Sequence, residues 1–167
     1  MTPLPPALGG GGEVVVWRLD KEIYAPTWQT GEGAYRAGGR WSTAGHRVVY
    51  CALDPATAIL EVAVHAGFKV LDTVAHNMVR ATVPDLTSVH RVKPEDVPNS
   101  NWLRPGDPSV YQQGFGDDLL KKHGVVVIPS VVSTNSWNMI FTDTEAAKLI
   151  DIKQERFALD TRFVKRP

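Results

Sequence analysis

The 167-residue chain has a single cysteine, Cys51, and its eighteen Lys and Arg residues cancel eighteen Asp and Glu residues. One cysteine excludes an internal disulfide. Zero formal net charge excludes a strong overall field toward nucleic acid or anionic lipid, so a ligand must be recognised locally. No apolar run approaches the roughly 20 residues that span a bilayer, and the N-terminus lacks the charged and apolar regions of a secretory signal. A cytoplasmic protein that neither enters a membrane nor binds nucleic acid directly is therefore expected. The two familiar phosphate cradles, G-x-x-x-x-G-K-[ST] and G-x-G-x-x-G entering a helix, are missing, as is a G-x-S-x-G elbow. His46, His65, His76, His90 and His123 have no metal-ligand spacing, so no metal is expected.

The length suits one domain, which at this size buries roughly 70% of the surface of its unfolded chain. Residues 1–12, "MTPLPPALGGGG", combine prolines with four glycines and predict a flexible tail; the domain then occupies 13–167. "EVVVWRL" reads as a strand. Residues 20–39 lack a clean period and predict a long irregular loop, a feature usually tied to function. "HRVVYCAL" predicts a strand with Arg47, Val49 and Cys51 on one face and Val48, Tyr50 and Ala52 on the other.

The clearest element follows. Asp54 can cap a helix, Pro55 suits its first turn and Gly67 can close it. Ile59, Val62, Ala63 and Ala66 make its core stripe, while Thr57, Glu61 and His65 share another. "TVAHNMVRATV" predicts a strand and the Pro-rich stretch 88–108 a connection. Asp107 and Pro108 predict a helix start, closed by Lys-Lys-His-Gly at 121–124. "VVVIPSVV", "SWNMIF" and "AKLIDIKQERFAL" read as strands, with a helical turn around "TDTEAA". Strands and helices mix without strict alternation, which favours α+β over a doubly wound sheet.

Pattern alone leaves each polar residue with an ordinary explanation beside a functional one. Glu61 could be a solvated helix residue. Arg40, after two glycines, could contact a phosphate or simply follow a turn. Tyr50 could be an edge aromatic, Arg18 a strand-end charge and Ser130 a turn serine.

The segment "GGRWSTAGHRVVYCALDPATAILEVAVH", residues 38–65, resembles the signature of the RES-domain toxins, and supplies Arg40, Trp41, Tyr50 and Glu61. "VWRL" is similar to the family's opening strand with its arginine, here Arg18. "IPSVVSTNSWNMIF" resembles its Val-Pro-Ser block followed by an asparagine, here Ser130 and Asn138. "RFALDTRF" resembles its closing segment. The resemblance runs in order from about residue 14 to 163. This chain has "FTDT" and "STNS" where the family often has Asn-Pro and Pro-Gly.

That resemblance implies a bacterial toxin of a toxin–antitoxin pair, with a mixed, strongly twisted sheet and flanking helices similar to bacterial ADP-ribosyltransferases. It implies NAD as substrate, with no separate cofactor, and an Xre-like helix-turn-helix antitoxin that blocks the active site. Glu61, Arg18 and Tyr50 become the expected catalytic residues, and Arg18, Arg40, Tyr50, Ser130 and Asn138 the expected NAD-binding set. Cleavage of the nicotinamide glycosidic bond with transfer of ADP-ribose to water or phosphate is the expected reaction. Modification of a protein acceptor is the first alternative. An RNA-binding or RNA-cleaving toxin is a second, disfavoured by the lack of net positive charge.

Overall fold

Three consecutive valines and a tryptophan open β1 (Val14–Lys21), where β-branched side chains suit a pleated surface. In the computed structural model, which describes residues 1, 3–5, 8 and 12–160, it is followed by two single 3₁₀ turns and a short helix, α1 (Glu32–Ala37). The stretch expected to be an irregular loop is thus partly helical. Its helices are too short, and too interrupted by glycine, to show a 3.6-residue period.

The remaining elements are β2 (Val48–Ala52), α2 (Pro55–Ala66), α3 (Phe68–Thr73), β3 (His76–Val83), β4 (His90–Arg91), α4 (Val110–His123), β5 (Val125–Pro129), β6 (Trp137–Thr142), α5 (Asp143–Ala146) and β7 (Ile150–Phe157). They build one seven-stranded sheet in the order β4-β5-β6-β2-β1-β3-β7. Only β4 and β5 run parallel, so the sheet is mixed and the class is α+β. β4 lies inside the Pro-rich stretch expected to be only a connection. The α4 cap is Ser109, whose hydroxyl accepts from the Gln112 amide, not Asp107. Serine two residues later satisfies the same orphan donor, and Asp107 remains in the preceding loop.

Period-two alternation divides the core. Val49, Cys51, Val125, Val127, Met139 and Phe141 join Val14, Val16, Val79 and Ala81 in one cluster. Val48, Val126, Ile128 and Ile140 face the opposite way, under Leu120 of α4 and Trp41. β5 is buried on both faces, as its unbroken apolar run requires. A third cluster packs Ala63 of α2 and Leu71 of α3 on Leu19, with Ile59 and Val62 at its edge. Ala66, expected in that stripe, is exposed because the helix ends beyond the sheet. Within the expected tail, Leu8 is buried in the first cluster; residues 2, 6, 7 and 9–11 lie outside the described residues. No helix among the described residues is long and apolar enough to cross a membrane.

One irregularity places the site. β1 pairs with β3 along its whole length, Val14↔Val83 through Lys21↔His76, yet with β2 only at Trp17↔Ala52. The sheet therefore splays between β1 and β2, and a cleft opens where ladder hydrogen bonds stop.

Candidate active site

Glu61 sits on a helix fixed at its start. The Asp54 carboxylate accepts from Thr57 N (2.8 Å) and from the Thr57 and Ser136 hydroxyls (2.6 and 3.0 Å). This cap ties α2 to the loop before β6, which also carries Ser130. Partial burial raises the Asp54 pKa, but the Thr57, Ser136 and Ala56 hydrogen bonds outweigh it, and the group lies below its ordinary value of 3.8. Asp54→Ala should cost about 1 kcal/mol at neutral pH, the usual worth of a cap. Because the folded-state pKa is depressed, that contribution is complete above 3.8 and is lost as pH falls through the lower folded value. Thermal midpoints of variant and native protein should converge below about pH 4; a constant gap down to pH 2 would assign the loss elsewhere.

Two donors reach the Glu61 carboxylate, both at Oε1: Ser130 Oγ at 2.9 Å and Asn138 Nδ2 at 2.6 Å. The Ser133 amide donates to Ser130 Oγ at 3.0 Å, so the serine's single proton is committed to Glu61. Asn135, at φ 72°, makes the turn that returns the "STNS" loop to β6. Asn138 is buried, and with Nδ2 held by Glu61 its Oδ1 has no partner among the described residues. An orphaned buried carbonyl costs about 1–3 kcal/mol. A residue kept at that cost points to a function for its other half, the hydrogen bond to Glu61.

Arg18, on β1, crosses the splay. Its Nη1 donates to the Tyr50 carbonyl at 2.8 Å, replacing a ladder bond that β1 and β2 do not make. Asp20 holds Nε at 3.0 Å and Nη2 at 2.8 Å through one carboxylate oxygen, fixing the plane of the guanidinium. Asp20 carried no sequence signal beyond its place two residues along the same strand face.

Arg40 lies on a turn that α4 holds. Gln113 Nε2 donates to the Gly39 carbonyl at 2.9 Å, and Asp117 accepts from Thr43 Oγ1 at 2.6 Å and from the Thr43 amide. Between them, at helical spacing, Gly116 lies so close to Trp41 that an added Cβ would collide with the Trp41 carbonyl. Trp41 packs edge-on against Phe115, ring centroids 6.3 Å apart. Gly116, a weak helix former, is thus required by packing. Arg40 Nη2 donates to the Gly106 carbonyl at 2.7 Å. Burial pushes the Arg40 pKa below its ordinary value, opposed by Glu61, Tyr50 and Asp107; a guanidinium keeps its charge regardless.

Tyr50 braces the same turn. Its hydroxyl accepts from the Trp41 amide at 3.1 Å and shares a 2.9 Å hydrogen bond with Ser42. A Cβ at Gly39 would stand 2.5 Å from that oxygen, which is why glycine precedes Arg40. Burial drives the phenol up to about 12, and it stays neutral. Cys51, also buried and pushed up to about 12, is an unreactive core thiol.

Arg18, Arg40, Tyr50, Glu61 and Asn138 all line one cavity of about 910 Å³. Ser130 joins it through Glu61. Residues 138, 61 and 50 thus come together from three elements, while 18 and 40 enter from opposite sides of the splay. His65 lies on the same wall one turn beyond Glu61. Gln113, Asp117, Asp20 and Gly106 support the site without having been singled out in the sequence. Among the described residues no group of three or more His, Cys, Asp or Glu could hold a metal ion.

The family model described as RES domain matches residues 15–160. The chain belongs to the RES domain family. Among curated RES relatives, "Toxin Res" of Photorhabdus laumondii is 29% identical over 157 residues, covering 91% of this chain and 98% of that protein. "Prs ADP-ribosylating toxin" of a Sphingobium species is 26% identical, covering 90% and 96%. The fold of this RES domain is also that of the toxin in the crystal structure of the M. tuberculosis MbcT–MbcA toxin–antitoxin complex. The TM-score is 0.69 with 19% identity over 91% of this chain and 87% of that one.

Proposed function

We propose that the cavity binds NAD and that this RES domain is the toxin of a toxin–antitoxin pair. It cleaves the nicotinamide glycosidic bond and passes ADP-ribose to water or phosphate. The observation that carries this reading is one carboxylate, Glu61, held by two donors in a cavity flanked by two arginines. Nicotinamide leaves as a neutral molecule, so the general acid of ordinary glycoside hydrolysis is not needed and a single carboxylate suffices. Ser130 and Asn138 occupy Oε1, leaving Oε2 for a ribose hydroxyl and the charge for the developing oxocarbenium ion. Arg18 and Arg40 supply guanidinium forks to the pyrophosphate. The Tyr50 ring packs against the nicotinamide end, while its hydroxyl serves the Arg40 turn. Ser130 is no nucleophile, because its proton and a lone pair are already used.

The α4 face makes a prediction within this reading. Asp117→Ala frees the turn without touching substrate, so the KM for NAD should rise about five- to tenfold with kcat within about twofold, the pattern of binding lost equally from ground and transition states. An equal fall in kcat would place Asp117 in the chemistry.

The partner reading rests on the solved neighbour, a toxin–antitoxin complex. Exposed Tyr24 and Val64 at the cavity rim offer apolar contacts to an Xre-like antitoxin that blocks the site from the cytoplasm. Transfer to a protein acceptor is the second reading, favoured by the name of the Sphingobium relative. Product analysis separates them. Free ADP-ribose from purified protein and NAD marks water as acceptor, ADP-ribose 1-phosphate marks phosphate, and label from NAD on lysate proteins alone marks transfer.

A further inference from the structure

A second cavity, about 550 Å³, adjoins the first at Arg40. The two share three residues: Arg40, Gly106 and Asp107. Its far wall is chemically distinct. Trp102 and Tyr111 line it with aromatic side chains, Asn101 with an amide and Arg104 with a second guanidinium. Trp102 is backed by Phe115, centroids 5.9 Å apart, and Gln112 Nε2 donates to the Trp102 carbonyl at 3.1 Å. Trp102 is therefore held in place beside the cavity by Phe115 and Gln112. Tyr111 is 84% exposed on the first turn of α4.

The geometry points to this cavity as the adenosine compartment of a dinucleotide site whose pyrophosphate lies over Arg40. The inference rests on the NAD reading above. A dinucleotide has a nucleoside on each side of its pyrophosphate, and Arg40 lines both cavities. Glu61 marks the first as the side of the scissile bond. The second then takes the adenosine half. Stacking between aromatic side chains is tolerant of geometry and strong for a purine, and an asparagine amide pairs its donor and acceptor with an adenine edge. Trp102 and Tyr111 thereby become specificity residues remote from the chemistry.

The test compares native protein with Tyr111→Ala and Trp102→Ala on NAD and on nicotinamide mononucleotide, and measures binding of AMP by calorimetry. Tyr111 is exposed, so its variant folds even where Trp102→Ala loses packing. The expected result is a KM for NAD raised about tenfold in each variant, the size of one stacking contact, with AMP binding weakened alike. The effect should vanish with nicotinamide mononucleotide, which lacks the adenosine half. Unchanged AMP binding in Tyr111→Ala, or equal effects on both substrates, would overturn the assignment. Loss of AMP binding in the variants of a protein that cleaves neither substrate would keep the compartment and refute the glycosidic reaction, so the two failures are distinguishable.

Discussion

Glu61→Gln should lower nicotinamide release from NAD at least about a hundredfold, the usual scale for a preorganised electrostatic group, and leave the fold intact. Glutamine still offers an oxygen to Ser130 Oγ and Asn138 Nδ2, so the loop and β6 stay where they are. What disappears is the negative charge that the proposed reaction needs beside the anomeric carbon. Steady-state release and a thermal melt on the same preparation check both halves. Activity within a few-fold of native protein would remove Glu61 from the chemistry. A large drop in melting temperature would turn its role into a structural one.

Asn138→Leu carries the second large effect, and its small effect on stability is unusual for a buried polar residue. Leucine removes the unpartnered Oδ1 and packs on a strand whose neighbours are buried and apolar. Removing an orphaned buried carbonyl is favourable and losing the hydrogen bond to the Glu61 carboxylate is unfavourable by a similar amount, so the thermal midpoint should stay within a few degrees of the native value. Glu61 loses its 2.6 Å donor and with it a fixed rotamer. Turnover should fall about ten- to a hundredfold, as expected when a reacting group is misplaced by an ångström. Stability and activity falling together would instead make Asn138 a structural residue.

Much of this site was legible because local rules are strong at its helix. Asp54, Pro55 and Gly67 bound α2 as capping chemistry requires, and period two put Val49 and Cys51 opposite Val48 and Tyr50. The resemblance supplied what periodicity could not: that residues 18, 40, 50, 61, 130 and 138 share a destination. The cleft itself was not legible. It depends on β1 and β2 meeting at one residue pair, a property of how two lobes of a sheet twist apart, and no local pattern encodes it. The α4 cradle was invisible for a related reason. Gln113 and Asp117 hold backbone 74 residues away, and on the chain they are an ordinary glutamine and aspartate. Gly116 is a poor helix former on the chain, and only the fold shows that the turn carrying Arg40 needs the space it leaves.

The arrangement also explains why so few charges suffice. Arg18 is oriented by Asp20 and a main-chain carbonyl, and Arg40 by Gly106, so both forks are fixed before substrate arrives. For the dinucleotide proposed above, preorganisation of that kind would lower the cost of binding.

Whether this cavity cleaves the nicotinamide glycosidic bond is read out by proton NMR of NAD incubated with purified, antitoxin-free protein. Free nicotinamide resonances should grow with native protein at least about a hundredfold faster than with Glu61→Gln. NAD that stays intact with the native protein, in buffer with and without phosphate and with lysate proteins added as acceptors, would contradict that cleavage.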